Sequence, residues 1–173
     1  MVHVASHFVF RPRTERDSFL LLGDGTRLNL GELRQGDYNF TAVDLLTLSA
    51  CETAVGGQRA DGKEVEGLGT LAQKQGAKGV IATRWKVADT STGKFMQHFY
   101  RLRQAGLTKA DALRQAQLLL LYGEERANSQ APETPRTVVS LRRHPEGDFI
   151  PDPKAPYAHP YYWAPFILMG NWL

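Results

Sequence analysis

The chain has 173 residues, 42% hydrophobic, 23% charged and 10% aromatic, with a formal net charge of +3. That length and composition suit one domain with a real core and exclude collagen-like, low-complexity and wholly disordered classes. The single cysteine leaves no intrachain disulfide. No apolar run approaches the roughly 18 residues of a membrane helix, and there is no signal-peptide pattern or Lys/Arg block, so a cytoplasmic protein with no membrane or nucleic-acid partner is expected.

Met1 to Phe10 (MVHVASHFVF), rich in valine and aromatics, predicts a strand. It begins at the first residue with no turn or cap before it, which predicts that upstream elements are missing or supplied by another molecule. His3 and His7 fall on one face of such a strand by its period of two. Each also reads as a histidine satisfied by a local hydrogen bond, and His7, nearer the strand's end, is the better functional candidate. Arg11 to Asp17 is a charged loop with Pro12. Ser18 to Leu22 and Arg27 to Leu30 predict a hairpin closed by Gly23, Asp24 and Gly25, and Gly31 to Arg34 opens a short helix.

Val43 to Leu48 is an apolar run followed by small residues and then Cys51. It reads as a buried strand delivering the thiol to a sheet edge, where chemistry sits in open parallel α/β sheets. Cys51 is therefore a nucleophile candidate, and the competing reading is an inert small hydrophobe. Gly56 to Lys63 is a polar loop with Gly56, Gly57 and Gly62. It lacks the Walker spacing, so no phosphate-binding role is expected.

Glu64 to Gln75 predicts a helix with Leu68, Leu71 and Ala72 on one face and Gly76 as its stop. Lys78 to Trp85 is the next buried strand. Thr90 to Gln104 predicts a helix capped by Asp89 or Thr90, with Phe95, Met96, Phe99 and Leu102 as its stripe. Thr108 to Tyr122 predicts another, with Ala112, Leu113, Ala116, Leu119 and Leu120 inward and a capping box of Thr108 and Asp111. Both stripes are read as core.

Gly123 to Pro160 holds seven of the nine prolines and predicts a long loop or insertion within the single domain. Val138 to Leu141 is its one strand-like piece, and Arg136, Arg142 and Arg143 form a solvated basic face. Tyr161 to Leu173 predicts a final hydrophobic strand. The alternation of strand and helix predicts an α/β fold with a mostly parallel sheet. The five histidines are scattered and there is no second cysteine, so neither a metal site nor a cofactor is expected.

Five stretches now carry a resemblance: HVASH (3–7), LSACETA (48–54), EGLGTLA (66–72), GAKGVIATRWKVAD (76–89) and HPYYWAPF (159–166). In order and content they resemble the successive motifs of the CHAT domain, a caspase-like peptidase module often found with tetratricopeptide repeats. The match runs over essentially the whole chain. It implies a caspase-like, mostly parallel sheet flanked by helices, shared with separases and gingipains. CHAT domains ordinarily place a strand and helix before the histidine-bearing strand, so the N-terminal elements are expected to be missing here.

The resemblance further implies a Cys51–His7 dyad, with Cys51 as nucleophile, His7 as base and His3 structural. The separation, 51 − 7 = 44 residues, is close to the ~50 of caspases. Two adjacent parallel strands would bring thiol and imidazole to one edge, where the imidazole raises thiolate reactivity and protonates the leaving amine. Backbone N–H groups of Cys51 and Phe8 would hold the oxyanion. Phe8 stands where this clan usually has glycine: it pays a steric cost if that position needs positive φ, and its ring is expected to crowd the substrate channel.

Asp89 occupies the place of an acidic residue that in separases helps bind a substrate arginine; its competing reading is the helix N-cap. The activity implied is that of a cysteine endopeptidase acting on a protein substrate, gated by a sensor or repeat-domain partner, in a bacterial signalling or defence setting. The alternative is a catalytically inactive caspase-like scaffold or interaction module.

Overall fold

The structure, a computed structural model, describes residues 1–9, 11, 16–35, 38–49, 63–85, 87–123 and 149–173, with 63–67 as backbone. The expectations for the 56–62 loop, for 138–141 and for Arg136, Arg142 and Arg143 lie outside these residues. The chain forms two compact units. One comprises Met1–Val87, Thr108–Ala110 and Pro165–Leu173; the other comprises Ala88–Leu107 and Asp111–Ala164.

In the first unit, a four-stranded sheet is built from β1 (Val2–Val4), β5 (Leu45–Leu48), β6 (Gly79–Thr83) and β7 (Phe166–Gly170), in that order. The β1–β5 and β5–β6 pairs are parallel and β7 runs antiparallel to β6, giving the expected α/β architecture on a mixed, mostly parallel sheet. Between β1 and β5 the chain makes a second, antiparallel sheet of β2 (Phe8–Val9), β3 (Phe19–Leu21) and β4 (Arg27–Asn29), then helix α1 (Leu30–Gln35). Helix α2 (Lys63–Lys74) connects β5 to β6 and packs on β6.

One core serves both sheets. Leu46 and Leu48 of β5, register partners of Val80 and Ala82 of β6, join Leu30 and Leu33 of α1, Leu68, Leu71 and Ala72 of α2, and Phe8, Leu20 and Leu28 of the small sheet. Leu45, Thr47 and Ile81, on the opposite face of β5 and β6, are fully buried as well. That explains why these strands read as continuous apolar runs while the small sheet alternates. Each leucine so buried contributes about 2 kcal/mol relative to exposure.

The hairpin forms as expected. Leu22 N–H donates to Thr26 O (2.8 Å), Gly25 takes φ +84°, and the Asp24 carboxylate accepts from Thr26 N–H (2.8 Å). The last bond is the main reason the Asp24 carboxyl lies below its ordinary pKa. Helix α2 ends in a Schellman motif at Gly76 (φ +103°), with Gly76 N–H on Gln73 O (2.9 Å) and Ala77 N–H on Ala72 O (3.0 Å).

The second unit holds α3 (Asp89–Gln104), most of α4 (Lys109–Tyr122) and the short α5 (Pro160–Trp163). The predicted stripes are inward: Phe95, Met96, Phe99, Ala112, Ala116, Leu119 and Leu120 are buried, and Phe95 stacks on Phe99 at 6.4 Å.

Three expectations are corrected. The strand predicted over residues 1–10 is broken after Val4. The Ser6 hydroxyl donates to Leu21 O and Leu21 N–H donates to His7 O (2.9 Å), turning the chain into the small sheet, so His3 and His7 do not share a strand. The final segment is a strand only over Phe166–Gly170. Pro160 sits in the first turn of α5, where His159 Nδ1 accepts from Tyr161 N–H at 3.1 Å. Helix α3 begins at Asp89 with Ala88 as N-cap and no side-chain cap bond, so neither Asp89 nor Thr90 caps it.

Candidate active site

The parallel register of β1 and β5 (Val2↔Leu46, His3↔Thr47, Val4↔Leu48) brings two C-terminal strand ends to one edge. His7 follows Val4 by three residues (7 − 4 = 3), and Cys51 follows Leu48 by three (51 − 48 = 3). Cys51 itself, with its backbone N–H, lies outside the described residues. The chain leading to it is held firmly as far as Ser49. Ser49 N–H donates to Val4 O at 3.0 Å, and its Oγ lies 2.7 Å from His3 Nε2.

His7 is solvent-exposed, and its backbone is pinned to β3 through Leu21. Because Leu21 N–H bonds His7 O, the next pair, Phe8↔Leu20, is a non-hydrogen-bonded pair of the antiparallel ladder. The N–H of Phe8 therefore points away from β3, toward the side of β2 that carries no strand among the described residues. Its ring points into the core beside Leu20 and Leu28 and is 3% exposed. By the pleat, His7 stands on the opposite face, with Phe19, Leu21, Arg27 and Asn29. Phe8 thus keeps a strand backbone, and its ring is turned away from the face that carries His7.

With this geometry in hand, the comparison with known families is decisive. The profile of the CHAT domain family matches residues 1–171. The chain belongs to the CHAT domain family. This family is caspase-like and related to cysteine peptidases, in keeping with the parallel sheet and the pairing of the histidine-bearing and cysteine-bearing segments. No curated protein matches the chain.

In this CHAT domain, His3 has a concrete structural part. Partial covering of its ring lowers its pKa below the ordinary 6.5, so it is mostly neutral at pH 7 while bonded to Ser49. Asp89, expected at the substrate, is the exposed first residue of α3 and belongs to the second unit. Among the described residues no cluster of His, Cys, Asp or Glu is arranged to hold a metal, and no helix is long and apolar enough to cross a membrane.

The sequence reading missed Ser49 and the arginines of the small sheet. A hydroxyl two residues before the thiol was the available signal for Ser49. For the arginines the signal was the alternation Arg27-Leu28-Asn29, which puts a charge on the face opposite Leu28.

Proposed function

We propose that this CHAT domain is a cysteine endopeptidase in which His7 activates Cys51. The observation that supports it most is the β1–β5 register, with His7 and Cys51 each three residues beyond a paired position. His7 takes the thiol proton, and the thiolate attacks the carbonyl carbon of a peptide bond, forming a C–S bond. The oxyanion is held by N–H donors of Phe8 and Cys51. The tetrahedral species collapses as protonated His7 gives its proton to the departing amine, and water, deprotonated by His7, then releases the acyl group.

The outward N–H of Phe8 and its buried ring support this reading over an inactive scaffold, because the crowding expected of a residue larger than glycine falls on the core side. Substrates are proteins, and access is governed by a sensor or repeat-domain partner. Asp89, which does not cap α3, is a counter-charge for a basic substrate residue.

The test uses the fact that Cys51 is the only cysteine. Its alkylation by iodoacetamide, followed between about pH 5 and 9, reports its thiolate fraction against an unperturbed thiol pKa of about 8.5. The wild-type chain is expected to react well below that pH. His7→Ala is expected to shift the profile upward and to slow the reaction near pH 6.5 by about tenfold. Superimposable profiles would reject the dyad and leave the scaffold reading in its place.

A further inference from the structure

A cleft of about 370 Å³ lies beside the small sheet, lined by Arg11, Arg16, Asp17, Phe19, Arg27 and Asn29. Its size is that of a small-ligand site. Three arginines and one aspartate line it, and among the described residues none of these arginines is held in an ion pair. The Arg27 guanidinium sits 4.7 Å from the centroid of the Phe19 ring. The aromatic face thus helps hold the Arg27 side chain in place before any ligand arrives. With Leu20 and Leu28 turned into the core, Phe19, Arg27 and Asn29 occupy the outer face of their strands.

That face is the one His7 occupies. Leu21 is paired with Arg27 and bonded to His7, so His7, Leu21 and Arg27 form one row across three strands. Two strand spacings place Arg27 about 10 Å from His7 across the sheet, the length of roughly three residues of extended peptide.

We infer that this cleft is a substrate subsite that takes an acidic side chain, Asp or Glu, of a polypeptide lying across His7. The inference rests on the peptidase reading and adds a preference to it. A planar guanidinium fork matches a carboxylate through two parallel hydrogen bonds. Asp17 in the lining favours a single acidic side chain over an extended polyanion, which it would repel.

The experiment uses the full chain as Cys51→Ala, which binds without turnover. A dye-labelled flexible peptide carrying two adjacent glutamates is compared by fluorescence anisotropy with its glutamine counterpart. The glutamate peptide is expected to bind about fivefold more tightly at low salt, an advantage that shrinks as salt rises. Arg16→Gln and Arg27→Gln should each cut this advantage about threefold, and the triple variant with Arg11→Gln should abolish it. Arg114→Gln, the same charge change on α4, should leave it intact. In the wild-type chain the glutamate peptide should slow alkylation of Cys51, and the triple variant should lose this protection.

Equal binding of the two peptides, or affinity indifferent to the arginines, overturns the subsite. So does tighter binding of an oligothymidylate than of the peptide, which would mark a nucleic-acid surface. Binding without protection of Cys51 places the cleft away from the reaction and also overturns it. The dyad is judged separately by the His7→Ala profile, so failure of one reading is distinguishable from failure of the other.

Discussion

The bond between His3 Nε2 and Ser49 Oγ (2.7 Å) lies two residues upstream of the thiol, and Ser49 is also held through its backbone to Val4 O (3.0 Å). Each such bond contributes about 1 kcal/mol net, a modest stabilisation concentrated at the segment that leads to Cys51. His3 makes this fold pH-sensitive in a defined direction. Its folded pKa is lowered from 6.5 by burial, so the unfolded chain takes up a proton more readily than the folded one. The stability linked to His3 is thus fully present above pH 6.5 and is lost as pH falls from there through the folded pKa. Thermal unfolding of the wild type and of His3→Gln, compared across that window, should show a steeper loss of Tm on acidification in the wild type. Parallel slopes would show that another group titrates.

Elements here are bounded by local chemistry of unequal quality. The C-termini of α2 and α3 both close on a left-handed glycine. At α3, Gly106 takes φ +91° with its N–H on Arg103 O (3.1 Å), and Leu107 N–H reaches Leu102 O (3.2 Å). The N-terminus of α3 is weaker. Ala88 holds the N-cap position at φ −63°, ψ 137°, geometry that suits a capping side chain, and alanine has none to offer. Asp89 then lies in the first turn, where its charge favours the positive end of the helix. Ala88→Ser supplies the missing acceptor without altering the backbone, and should stabilise the protein by about 1 kcal/mol. An increase in the urea midpoint at unchanged m-value is the expected result; a decrease would mean that the exposed Ala88 methyl matters more than the cap.

At the scale of the whole molecule, Lys109 joins segments far apart in the chain. It is 1% exposed, and its Nζ donates to Asp44 Oδ1 (2.9 Å), just before β5, and to Leu173 O (2.7 Å), beyond β7. Gly79 passes close by: a Cβ there would lie 3.4 Å from the lysine stem and 2.9 Å from Asn171 O. Asp44 is half exposed, so the two partners differ in how they bear separation. Asp44→Asn leaves a buried ammonium without its counter-charge and should cost about 3 kcal/mol. Lys109→Met removes the buried charge and keeps the packing, and the Asp44 side chain is half exposed, so it should cost less. Chemical denaturation of the two variants gives the order, and a larger loss for Lys109→Met would show that packing and the bond to Leu173 outweigh the charge.

Much of this was legible in the sequence. Val43 to Leu48 and the strand read over Lys78 to Trp85, observed as Gly79–Thr83, could be seen as buried because both their faces are largely apolar, and the helical stripes because 3.6-residue periodicity is a local property of the chain. Gly76 announced a helix end for the same reason, and the five motifs in order were enough to indicate the family. The break after Val4 was not legible, since valine and aromatic residues suit either sheet and the choice depends on Leu21, fifteen residues beyond Ser6. Neither was the reversal of β7, nor α5 within a stretch as apolar as a strand.

By itself, then, the amino-acid sequence determined the buried strands and long helices of the chain, the glycine stop of α2, and that Cys51 and His7 belong to a CHAT domain. Those properties arise from neighbours a few positions away. Only the tertiary structure decided that Phe8 turns its ring from His7, that His3 holds Ser49 across 46 positions, and that Arg27 shares a row with His7. These depend on strand pairing and register, where a shift of one residue would exchange the core and solvent faces and separate every one of those groups.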